Sequence, residues 1–331
     1  MASGETGPAA EAYQNLRPLM FSIAYRMLGS VTEAEDIVQE AFLRYHRVVA
    51  DNGAPGSPKA YLSAVTTRLC IDHLRSARVR RESYVGEWLP EPLLTGPAEL
   101  GRPVADPAAL AEQADSLSMA FLLLLERLTP VERAVFLLHD VFSYGYDETA
   151  DIVGRSPTTC RQLAHRARQH IEDDRPRFEA SADKRAELAS RFFDAVGHGD
   201  LDGLVSLLAD DVTVYGDSGG VPPAWGRPII GRDNVSRLLA GLGGQLRDVQ
   251  ATMRLVQVNG QPGALVIAPD GTLISVFTLD IAEGQVQRVR SVINRDKLRH
   301  LGPLADIPRL REQYSDVLSQ RQAGSGQDPA L

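Results

Sequence analysis

The stretch VERAVFLLHDVFSYGYDETADIVGRSPTTCRQLAHRARQHI, residues 131–171, contains two short helical patterns joined by a turn. Residues 147–153 form the first pattern, and Gly154 with Arg155 predicts the tight turn after it. Ser156 is suited to cap the next helix, because its side-chain oxygen can accept a hydrogen bond from a free backbone N–H. Pro157 follows at the first helical position, where its missing N–H is tolerated. The stretch therefore predicts two helices meeting at a corner.

The second of these helices is predicted from Thr158 to Ile171, with two contrasting faces. Cys160, Leu163, Ala167 and Ile171 recur at three- and four-residue steps and make one inward stripe. The polar residues left on the opposite face are Thr158, Thr159, Arg161, Gln162, His165, Arg166, Arg168 and Gln169. Such a face can contact phosphates and base edges, as the second helix of a helix-turn-helix does in the major groove. A solvated helix of a bundle is the alternative that this stretch leaves open.

Length and composition restrict the classes of protein. The chain has 331 residues, 44% of them hydrophobic and 24% charged, which fits an ordinary globular protein of two or three domains. No apolar run approaches the roughly 20 residues that span a bilayer, and MASGETGPAAEAY lacks the features of a signal peptide. We therefore expect a cytoplasmic protein without membrane contact.

Cysteine content and net charge exclude further classes. The two cysteines, Cys70 and Cys160, are too few for a disulfide framework or a structural zinc site and are expected to be buried. The net charge of -8 argues against a protein that binds nucleic acid unaided, since affinity for phosphates needs positive charge. Any DNA contact must depend on local basic clusters and on a further partner.

Two helices are predicted near the N-terminus, Leu16 to Leu28 and Val31 to Val48, separated by a Gly-Ser break. The second has one apolar face. Its outward residues include Asp36, Gln39, Glu40 and Leu43. An exposed leucine among carboxylates and amides suits a protein partner, although isolated exposed leucines are common.

A loop of turn formers at residues 49–58 precedes a third predicted helix, Lys59 to Arg81. Its basic side chains outnumber the single acid Asp72 and comprise Arg68, Arg75, Arg78, Arg80 and Arg81. One or two basic side chains would be enough to complement the helix dipole at a solvated C-terminus. The presence of five arginines favours contact with nucleic acid instead.

Three blocks together resemble regions two and four of the extracytoplasmic-function sigma factors of bacterial RNA polymerase: AEDIVQEAFLRYHR, PKAYLSAVTTRLCIDHLRSARVRRE and the segment from Leu128 to Gln169. The resemblance implies that Asp36, Gln39, Glu40 and Leu43 dock on the clamp helices of the largest polymerase subunit, and that the flap is a second contact. It implies that the melted -10 element is held by Asn52, Lys59, Tyr61, Arg68, Arg75, Arg80 and Arg81. It implies that the -35 duplex is read by Ser156, Thr158, Thr159, Arg161, Gln162, His165, Arg166 and Arg168. Tyr61 stands where relatives often carry Trp, which keeps an aromatic ring for stacking.

The segment YVGEWLPEPLLTGPAELGRPVADPAAL, residues 84–110, is rich in Pro and Gly and predicts an extended linker. A solvated spacer would not need the apolar residues of its WLPEP string, which are Trp88, Leu89, Pro90, Glu91 and Pro92. The string resembles a motif of a sigma subgroup with a C-terminal SnoaL-like domain. In sigma factors this linker passes near the polymerase active-site channel.

From Asp183 the pattern changes to helices followed by strands. Helices are predicted at Arg185 to Gly197 and Leu201 to Leu208. Strands are predicted at Val212 to Tyr215, Ala251 to Val258, Gly263 to Ala268, Thr272 to Ile281 and Gln285 to Asn294, with hairpin turns at Asn259-Gly260, Asp270-Gly271 and Glu283-Gly284. The order suggests an α+β cone with a curved antiparallel sheet. Residues 191–217 and 229–235 are similar to the SnoaL-like, NTF2-like family.

That family includes enzymes, so three roles are open for this domain. Residues that could point into a cone and take part in catalysis are Tyr215, Asp217, Arg254, Asp280 and Arg290. An apolar cone can also bind a ligand without chemistry. The third role, contact with protein, is favoured by two strings that follow the subgroup pattern.

The two strings are Asp217-Ser218-Gly219-Gly220-Val221 and Asn294-Arg295-Asp296-Lys297-Leu298. They are similar to the subgroup's Asp-Gly-Gly-Gly-Lys loop and Asn-Pro-Asp-Lys-Leu string. Val221 replaces the lysine, so any salt bridge of that lysine must be missing or supplied elsewhere, for example by Arg227. The expected contact surface with the WLPEP string comprises Asp217, Gly219, Gly220, Asn294, Asp296 and Lys297.

The prediction is a multidomain sigma factor with two all-α sigma domains, the second with a helix-turn-helix, joined by an extended linker and followed by an α+β SnoaL/NTF2-like cone domain. The expected boundaries are a disordered N-terminus at 1–10, region 2 at 11–83, the linker at 84–112, region 4 at 113–178, the SnoaL-like domain at 183–300, and at 301–331 a last helix, Leu304 to Gln320, with a disordered tail.

The chain is expected to bind core RNA polymerase and promoter DNA, to be a monomer when free, and to need no cofactor or metal. It is not expected to be an enzyme, and its last domain is expected to contact the sigma domains and to modulate activity in cis. Two alternatives remain: a ligand-sensing DNA-binding regulator that acts without the polymerase core, and a SnoaL-like isomerase or hydrolase.

Overall fold

A computed structural model describes residues 8–82, 84, 86–95, 115–172, 181–220, 227–310, 312 and 315. The side chains of residues 8–10, 77–82 and 172 are outside the description. The chain divides into two compact units. The helical unit comprises Met1–Ser83 with Met119–Pro176, and the C-terminal unit comprises Tyr84–Ser118 with Arg177–Leu331. The linker residues thus belong with the C-terminal unit.

The helical unit begins with three helices, α1 (Pro8–Leu28), α2 (Val31–Asn52) and α3 (Pro58–Glu82). Gly29 separates the first two with a positive φ, and the Ser30 hydroxyl accepts a hydrogen bond from the Glu33 N–H at 3.1 Å. The three predicted helices are therefore present. The disorder expected for residues 1–10 is wrong for residues 8–10, which are helical; residues 1–7 are outside the described part of the chain.

Four further helices complete this unit: α4 (Met119–Leu125), α5 (Pro130–Phe136), which continues into a π-helical turn at Leu137–Val141, α6 (Tyr146–Val153) and α7 (Pro157–Glu172). Gly154 ends α6 in the left-handed conformation. The Ser156 hydroxyl accepts a hydrogen bond from the Thr159 N–H at 3.1 Å, so it caps α7. The predicted helix-turn-helix is confirmed.

The inward stripe of α7 differs by one residue from the prediction. Cys160, Ala167 and Ile171 are buried, but Leu163 is only half-buried and Ala164 is buried instead. The reason is the helical phase, because position 164 lies between 160 and 167 on the same face whereas position 163 lies at its edge.

The two halves of the helical unit share one packed core. Helix α3 packs against α5 and α6, and the hydroxyl groups of Ser63 and Tyr144 are 2.7 Å apart. The Arg133 guanidinium on α5 is buried and donates to the Met27 carbonyl oxygen on α1 at 2.6 Å. A buried guanidinium needs such partners, because an unpaired buried charge is strongly destabilising.

The described part of the C-terminal unit contains four α-helices and a six-stranded sheet. The helices are α8 (Ala182–His198), α9 (Leu201–Leu207), α10 (Arg232–Asp248) and the short α11 (Arg295–Leu298). The strands are β1 (Leu208–Asp217), β2 (Ile229–Ile230), β3 (Thr252–Val258), β4 (Gln261–Ile267), β5 (Leu273–Ala282) and β6 (Gln285–Val292). Their order in the sheet is β2-β1-β6-β5-β4-β3. Helices α8 and α10 and one face of the sheet enclose an apolar core.

Two expectations about this unit are corrected. The sheet is mixed, because β1 and β6 are parallel while the other neighbours are antiparallel. A parallel pair needs a long connection, and α10 with the four strands β2 to β5 supplies it. Helix α10 itself was not predicted, although Val235, Leu239, Leu242 and Leu246 recur with helical spacing. The three predicted hairpins are present between β3, β4, β5 and β6.

The segment after the sheet also differs from the prediction. Leu304 forms a β-bridge with Leu273 and is not helical; helical residues begin at 307. Most of the predicted helix beyond residue 310 lies outside the described residues. Among the helices that the structure describes, none has both the length and the apolar character required to cross a membrane.

Both cysteines are buried, as expected. Cys70 lies in α3 and Cys160 in α7, each with no exposed surface. Burial raises the pKa of the Cys70 thiol well above its ordinary value and raises that of Cys160 as well. Both therefore act as small apolar core residues.

Candidate functional site

The outer face of α7 is the first candidate surface. Thr158, Arg161, Gln162, His165 and Arg166 are exposed, while Thr159 and Arg168 are half-buried. Pro157 and the Ser156 cap fix the start of the helix, and the buried stripe holds it on the unit's core. The face thus presents hydrogen-bond donors and positive charge to solvent.

Two arginines of this face have partners inside the unit. Arg168 donates to the Asp140 carboxylate at 2.7 Å, and this hydrogen bond raises the pKa of Arg168 above its ordinary value. The Arg161 guanidinium carbon lies 5.3 Å from the centre of the Tyr146 ring, a cation–π contact that leaves the side chain exposed. Arg168 is therefore held by an ion pair, whereas Gln162, His165 and Arg166 face solvent.

The residues predicted to contact the -10 element lie along α3 and the loop before it. Asn52, Lys59, Arg68 and Arg75 are exposed, and Tyr61 is half-buried with its ring 5.9 Å from that of Tyr45. The side chains of Arg80 and Arg81 lie outside the described residues.

Two of these basic residues contact the second half of the helical unit. Arg68 donates from Nε to the Ile152 carbonyl oxygen at 2.9 Å and from Nη2 to that of Asp151 at 2.7 Å. These carbonyl groups lie at the C-terminal end of α6, where a helix carries partial negative charge. The Lys59 ammonium lies 5.3 Å from the centre of the Tyr144 ring. In this conformation Arg68 therefore links α3 to the C-terminal end of α6.

The predicted polymerase-docking residues share one face of α2. Asp36 and Gln39 are exposed, Glu40 is half-buried and pairs with Arg44 at 2.7 Å, and Leu43 has 54% of its surface exposed. The opposite face, which includes Ile37, Val38, Ala41, Phe42 and Tyr45, is buried. The helix is therefore amphipathic, with a leucine left on its polar side.

In the C-terminal unit, Asp217 at the end of β1 anchors the linker. Its side chain has no exposed surface. It accepts hydrogen bonds from the Tyr84 hydroxyl, from the Leu89 N–H at 2.9 Å and from the Lys297 ammonium at 2.6 Å. Burial, the first cause, and the bond to Asp217 raise the pKa of Tyr84, so its hydroxyl stays protonated and can donate. We call these four residues the Asp217 anchor.

Lys297 supplies the positive charge of this anchor. Its ammonium also donates to the Leu89 carbonyl oxygen and lies 4.4 Å from the Trp88 ring centre and 4.9 Å from that of Tyr84. Arg227, suggested as a substitute for the lysine that Val221 replaces, is exposed, and Asp217 pairs with Lys297. Val221 lies outside the described residues.

The rest of the predicted contact surface lies around the anchor. Gly219 and Gly220 have positive φ, and a Cβ atom on Gly219 would lie 2.8 Å from the Asn294 amide nitrogen. That amide nitrogen donates to the Tyr84 hydroxyl at 2.8 Å. Asp296 pairs instead with the exposed Arg299 at 2.7 Å. In the linker, Leu89, Pro90, Glu91 and Pro92 are buried and Trp88 is half-buried.

A second anchor was missed by the sequence interpretation. Asn259, in the β3–β4 turn with φ 53°, is fully buried. Its side-chain oxygen accepts from the Leu93 N–H at 3.0 Å, and its amide nitrogen donates to the Leu117 carbonyl oxygen at 3.0 Å. Thr95 extends the contact by donating its N–H to the Gln257 carbonyl oxygen at 3.0 Å. The Asn-Gly pair predicted the turn, but no pattern in the neighbouring sequence predicted that the Asn259 side chain would bind the linker.

The five residues considered for catalysis do not point into the cone. The domain has a cavity of about 80 Å³, and none of the five is among its lining residues. Successive side chains of a strand face opposite sides, so Gly216 lines the cavity while Tyr215 and Asp217 face the other side. Asp280 and Arg290 are buried and form an ion pair at 2.7 Å, and Arg254 is exposed. Among the described residues, no group of three or more His, Cys, Asp or Glu could hold a metal ion.

Comparison with known proteins decides the family. Residues 12–80 match the family model of sigma-70 region 2, residues 118–171 that of sigma-70 region 4, and residues 189–295 that of the SnoaL-like domain. The ECF RNA polymerase sigma factor SigJ of Mycobacterium tuberculosis is 37% identical over 296 residues, which cover 86% of this chain and 91% of SigJ. The chain belongs to the extracytoplasmic-function sigma factors. Its domain order is the predicted one.

Two further comparisons support this family assignment. This sigma factor is 33% identical over 296 residues to SigI, a probable ECF RNA polymerase sigma factor of Mycobacterium tuberculosis, covering 88% of this chain and 95% of SigI. It also matches the crystal structure of the extracytoplasmic function sigma factor SigJ of Mycobacterium tuberculosis with a TM-score of 0.68 and 35% identity, over 89% of this chain and 99% of the SigJ chain. The fold predicted for all three domains is confirmed.

Proposed function

We propose that this sigma factor docks on core RNA polymerase through α2, reads a -35 element with α7 and holds a melted -10 element with α3. Its SnoaL-like domain controls these steps by retaining the linker on the Asp217 and Asn259 anchors. The protein is an initiation factor and carries out no chemistry of its own.

The observation that carries the proposal is the outer face of α7. A capped helix presents Arg161, Gln162, His165 and Arg166 to solvent within a segment that matches sigma-70 region 4. Arginine and glutamine form bidentate hydrogen bonds with guanine and adenine edges in the major groove. The exposed face therefore has the chemistry of a duplex reader.

Replacing Gln162 or Arg161 by alanine is expected to weaken promoter recognition. A lost bidentate base contact removes about 1–3 kcal/mol of discrimination, so preference at one base pair should relax by roughly 5- to 150-fold. The measurement is run-off transcription with core polymerase on a set of -35 variants. Gln245→Ala, at an exposed glutamine of α10 in the other unit, is the matched control. Unchanged preference in both test variants would contradict the assignment.

Replacing Leu43 by aspartate is expected to weaken polymerase binding. The Leu43 side chain is 54% exposed on the polar face of α2, and a charge there would have to be desolvated in an apolar interface. A central interface residue contributes about 2 kcal/mol or more, so affinity should fall roughly 30-fold in a pull-down or anisotropy titration. Leu201→Asp, at a leucine that is 42% exposed in the C-terminal unit, should bind normally. Equal losses would refute a specific role for α2.

Reading both elements requires the helical unit to open. The -35 and -10 elements lie about 25 base pairs apart, or roughly 85 Å along the duplex. In the free chain α3 packs on α6, and Arg68 bonds the Asp151 and Ile152 carbonyl groups. Separation of region 2 from region 4 on the polymerase would release Arg68 for a phosphate contact.

Retention of the linker is the proposed regulatory step. In sigma factors this segment passes near the active-site channel, whereas here Leu89 bonds Asp217 and Leu93 bonds Asn259. A linker held on the SnoaL-like domain is withheld from the polymerase. Release of the anchors should therefore raise transcription.

A further inference from the structure

The π-helical turn at Leu137–Val141 places two polar side chains beside the helix-turn-helix. The turn is defined by a hydrogen bond at 2.9 Å from the Phe142 N–H to the Leu137 carbonyl oxygen, five residues earlier. Turns of this kind are rare and occur frequently at functional sites. His139 and Asp140 lie in the turn, and each contacts a side chain of the helix-turn-helix. The turn is therefore a candidate support for the DNA-reading face.

His139 holds the ring of Tyr146, the first residue of α6. The His139 Nδ1 atom lies 2.8 Å from the Tyr144 carbonyl oxygen, and because a carbonyl oxygen only accepts, Nδ1 donates this hydrogen bond. The imidazole, oriented in this way, stacks on the Tyr146 ring, with the ring centres 3.9 Å apart and the ring planes at 25°. Tyr146 is itself half-buried, so its ring is fixed before any DNA is bound.

The Tyr146 side chain contacts two arginines of α7. The Arg161 guanidinium carbon lies 5.3 Å from the centre of its ring, and Arg168 donates to its hydroxyl in a long hydrogen bond of 3.5 Å. Arg168 is held in turn by the Asp140 carboxylate at 2.7 Å. Among the described residues, Arg166 on the same helix has no such partner. Arg161 is thus exposed and yet restrained, whereas Arg166 is exposed and free to move.

This restraint matters for reading a base. An exposed arginine loses conformational entropy when it binds, and a side chain that is already held loses less. A guanidinium that rests on an aromatic ring by its face keeps the N–H groups of its edge available, so it can still form two parallel hydrogen bonds. The ring contact of Arg161 is therefore compatible with a bidentate contact to a base edge.

We propose that Tyr146 is a positioning residue for promoter recognition, which holds the Arg161 guanidinium in the orientation that reads one base pair of the -35 element. His139 acts behind it by keeping the ring in place. The proposal deepens the role assigned to α7 and rests on it, because Arg161 must contact a base for its orientation to matter.

The test uses the full-length chain bound to core RNA polymerase. Duplexes that this holoenzyme retains from a randomised library are sequenced, which gives the base preference at each position. Arg161→Ala identifies the base pair read by Arg161 as the one whose preference it relaxes. Tyr146→Leu should lower the preference at that base pair about two- to fivefold, the contribution of an exposed cation–π contact, and leave the other positions unchanged. Tyr146→Phe keeps the ring and should keep the preference of the parent.

A double variant tests whether the two residues act through one contact. In an Arg161→Ala background, Tyr146→Leu should cause no further change at the same base pair. Tyr146→Met takes the place of Tyr146→Leu if the latter does not fold. Tyr13→Leu, at a tyrosine of α1 that is 39% exposed, is the matched control and should select the same sequences as the parent.

Unchanged base preference in Tyr146→Leu, or an equal loss at every selected position, overturns the positioning role. A loss in Tyr146→Phe as large as that in Tyr146→Leu overturns it too, because the ring would then not be the group that matters. If Arg161→Ala relaxes no base pair, the proposed role of Arg161 in α7 fails together with this inference. If Arg161→Ala relaxes one base pair and Tyr146→Leu does not, the inference alone fails.

Discussion

Asp217→Ala is expected to destabilise the C-terminal unit by about 3–5 kcal/mol, the usual cost of leaving one partner of a buried ion pair unpaired. Asp217 has no exposed surface, and the Lys297 side chain is 10% exposed. Without the carboxylate, the Lys297 ammonium keeps the Leu89 carbonyl oxygen and two aromatic rings as partners but loses its counter-charge. The Leu89 N–H also loses its acceptor.

The measurement is urea unfolding of the full chain, followed by the fluorescence of Trp88 in a Trp225→Phe background. Asp210→Ala is the matched control, because Asp210 lies on the same strand and pairs with Arg232 at 2.8 Å but is 91% exposed. Exposed ion pairs contribute about 0–1 kcal/mol, so Asp210→Ala should lower the free energy of unfolding only slightly. Similar losses in the two variants would disprove the anchor's energetic role.

A double variant separates charge from packing. Asp217→Ala combined with Lys297→Met removes both charges, so part of the stability lost in Asp217→Ala should return. The single variant releases the Leu89 N–H, and the double variant also releases the Leu89 carbonyl oxygen. If the anchor restrains the linker, both should raise run-off transcription at concentrations where the protein is folded.

Gly243→Ala is expected to give the second large effect, a destabilisation of about 1–3 kcal/mol or more from overpacking. Gly243 lies where α10 crosses α8, and a Cβ atom there would lie 1.7 Å from the Val196 carbonyl oxygen. The obstacle is backbone and not a flexible side chain, so the two helices would have to separate. The core between them and the sheet would then lose contacts.

Gly241→Ala, two positions earlier in α10, is the control. A Cβ atom there has no neighbour within 4 Å, and alanine is the better helix former by about 1 kcal/mol. Thermal and urea unfolding should therefore show that Gly241→Ala raises the free energy of unfolding, whereas Gly243→Ala lowers it. Equal behaviour of Gly241→Ala and Gly243→Ala would contradict the close helix crossing.

Features with local signals were predictable from the sequence. The Ser156 cap, Pro157 and Gly154 define the corner between α6 and α7 within a few residues, and the structure has all three as expected. The hairpin turns at Asn259 and Glu283 follow from Asn-Gly and Glu-Gly pairs with positive φ. Each of these is decided by nearest neighbours along the chain.

Features that depend on distant partners were not predictable in the same way. Lys297 and Asp217 are 80 residues apart; the two subgroup strings placed both on the expected contact surface but did not pair them with each other. The parallel pairing of β1 with β6 was missed because alternation shows that a strand exists but not its direction. Helix α10 was missed because Gly241, Gly243 and Gly244 weaken its helical propensity, although the close crossing with α8 requires a glycine at 243.

The burial of Cys70 and Cys160 lowers the reactivity of both thiols toward oxidants. Thiols react with peroxides and disulfides as thiolates, and burial keeps both groups protonated by raising their pKa. Cys70 and Cys160 are the chain's two cysteines, and neither has exposed surface. Direct oxidation of either thiol is therefore expected to be slow while the helical unit stays folded.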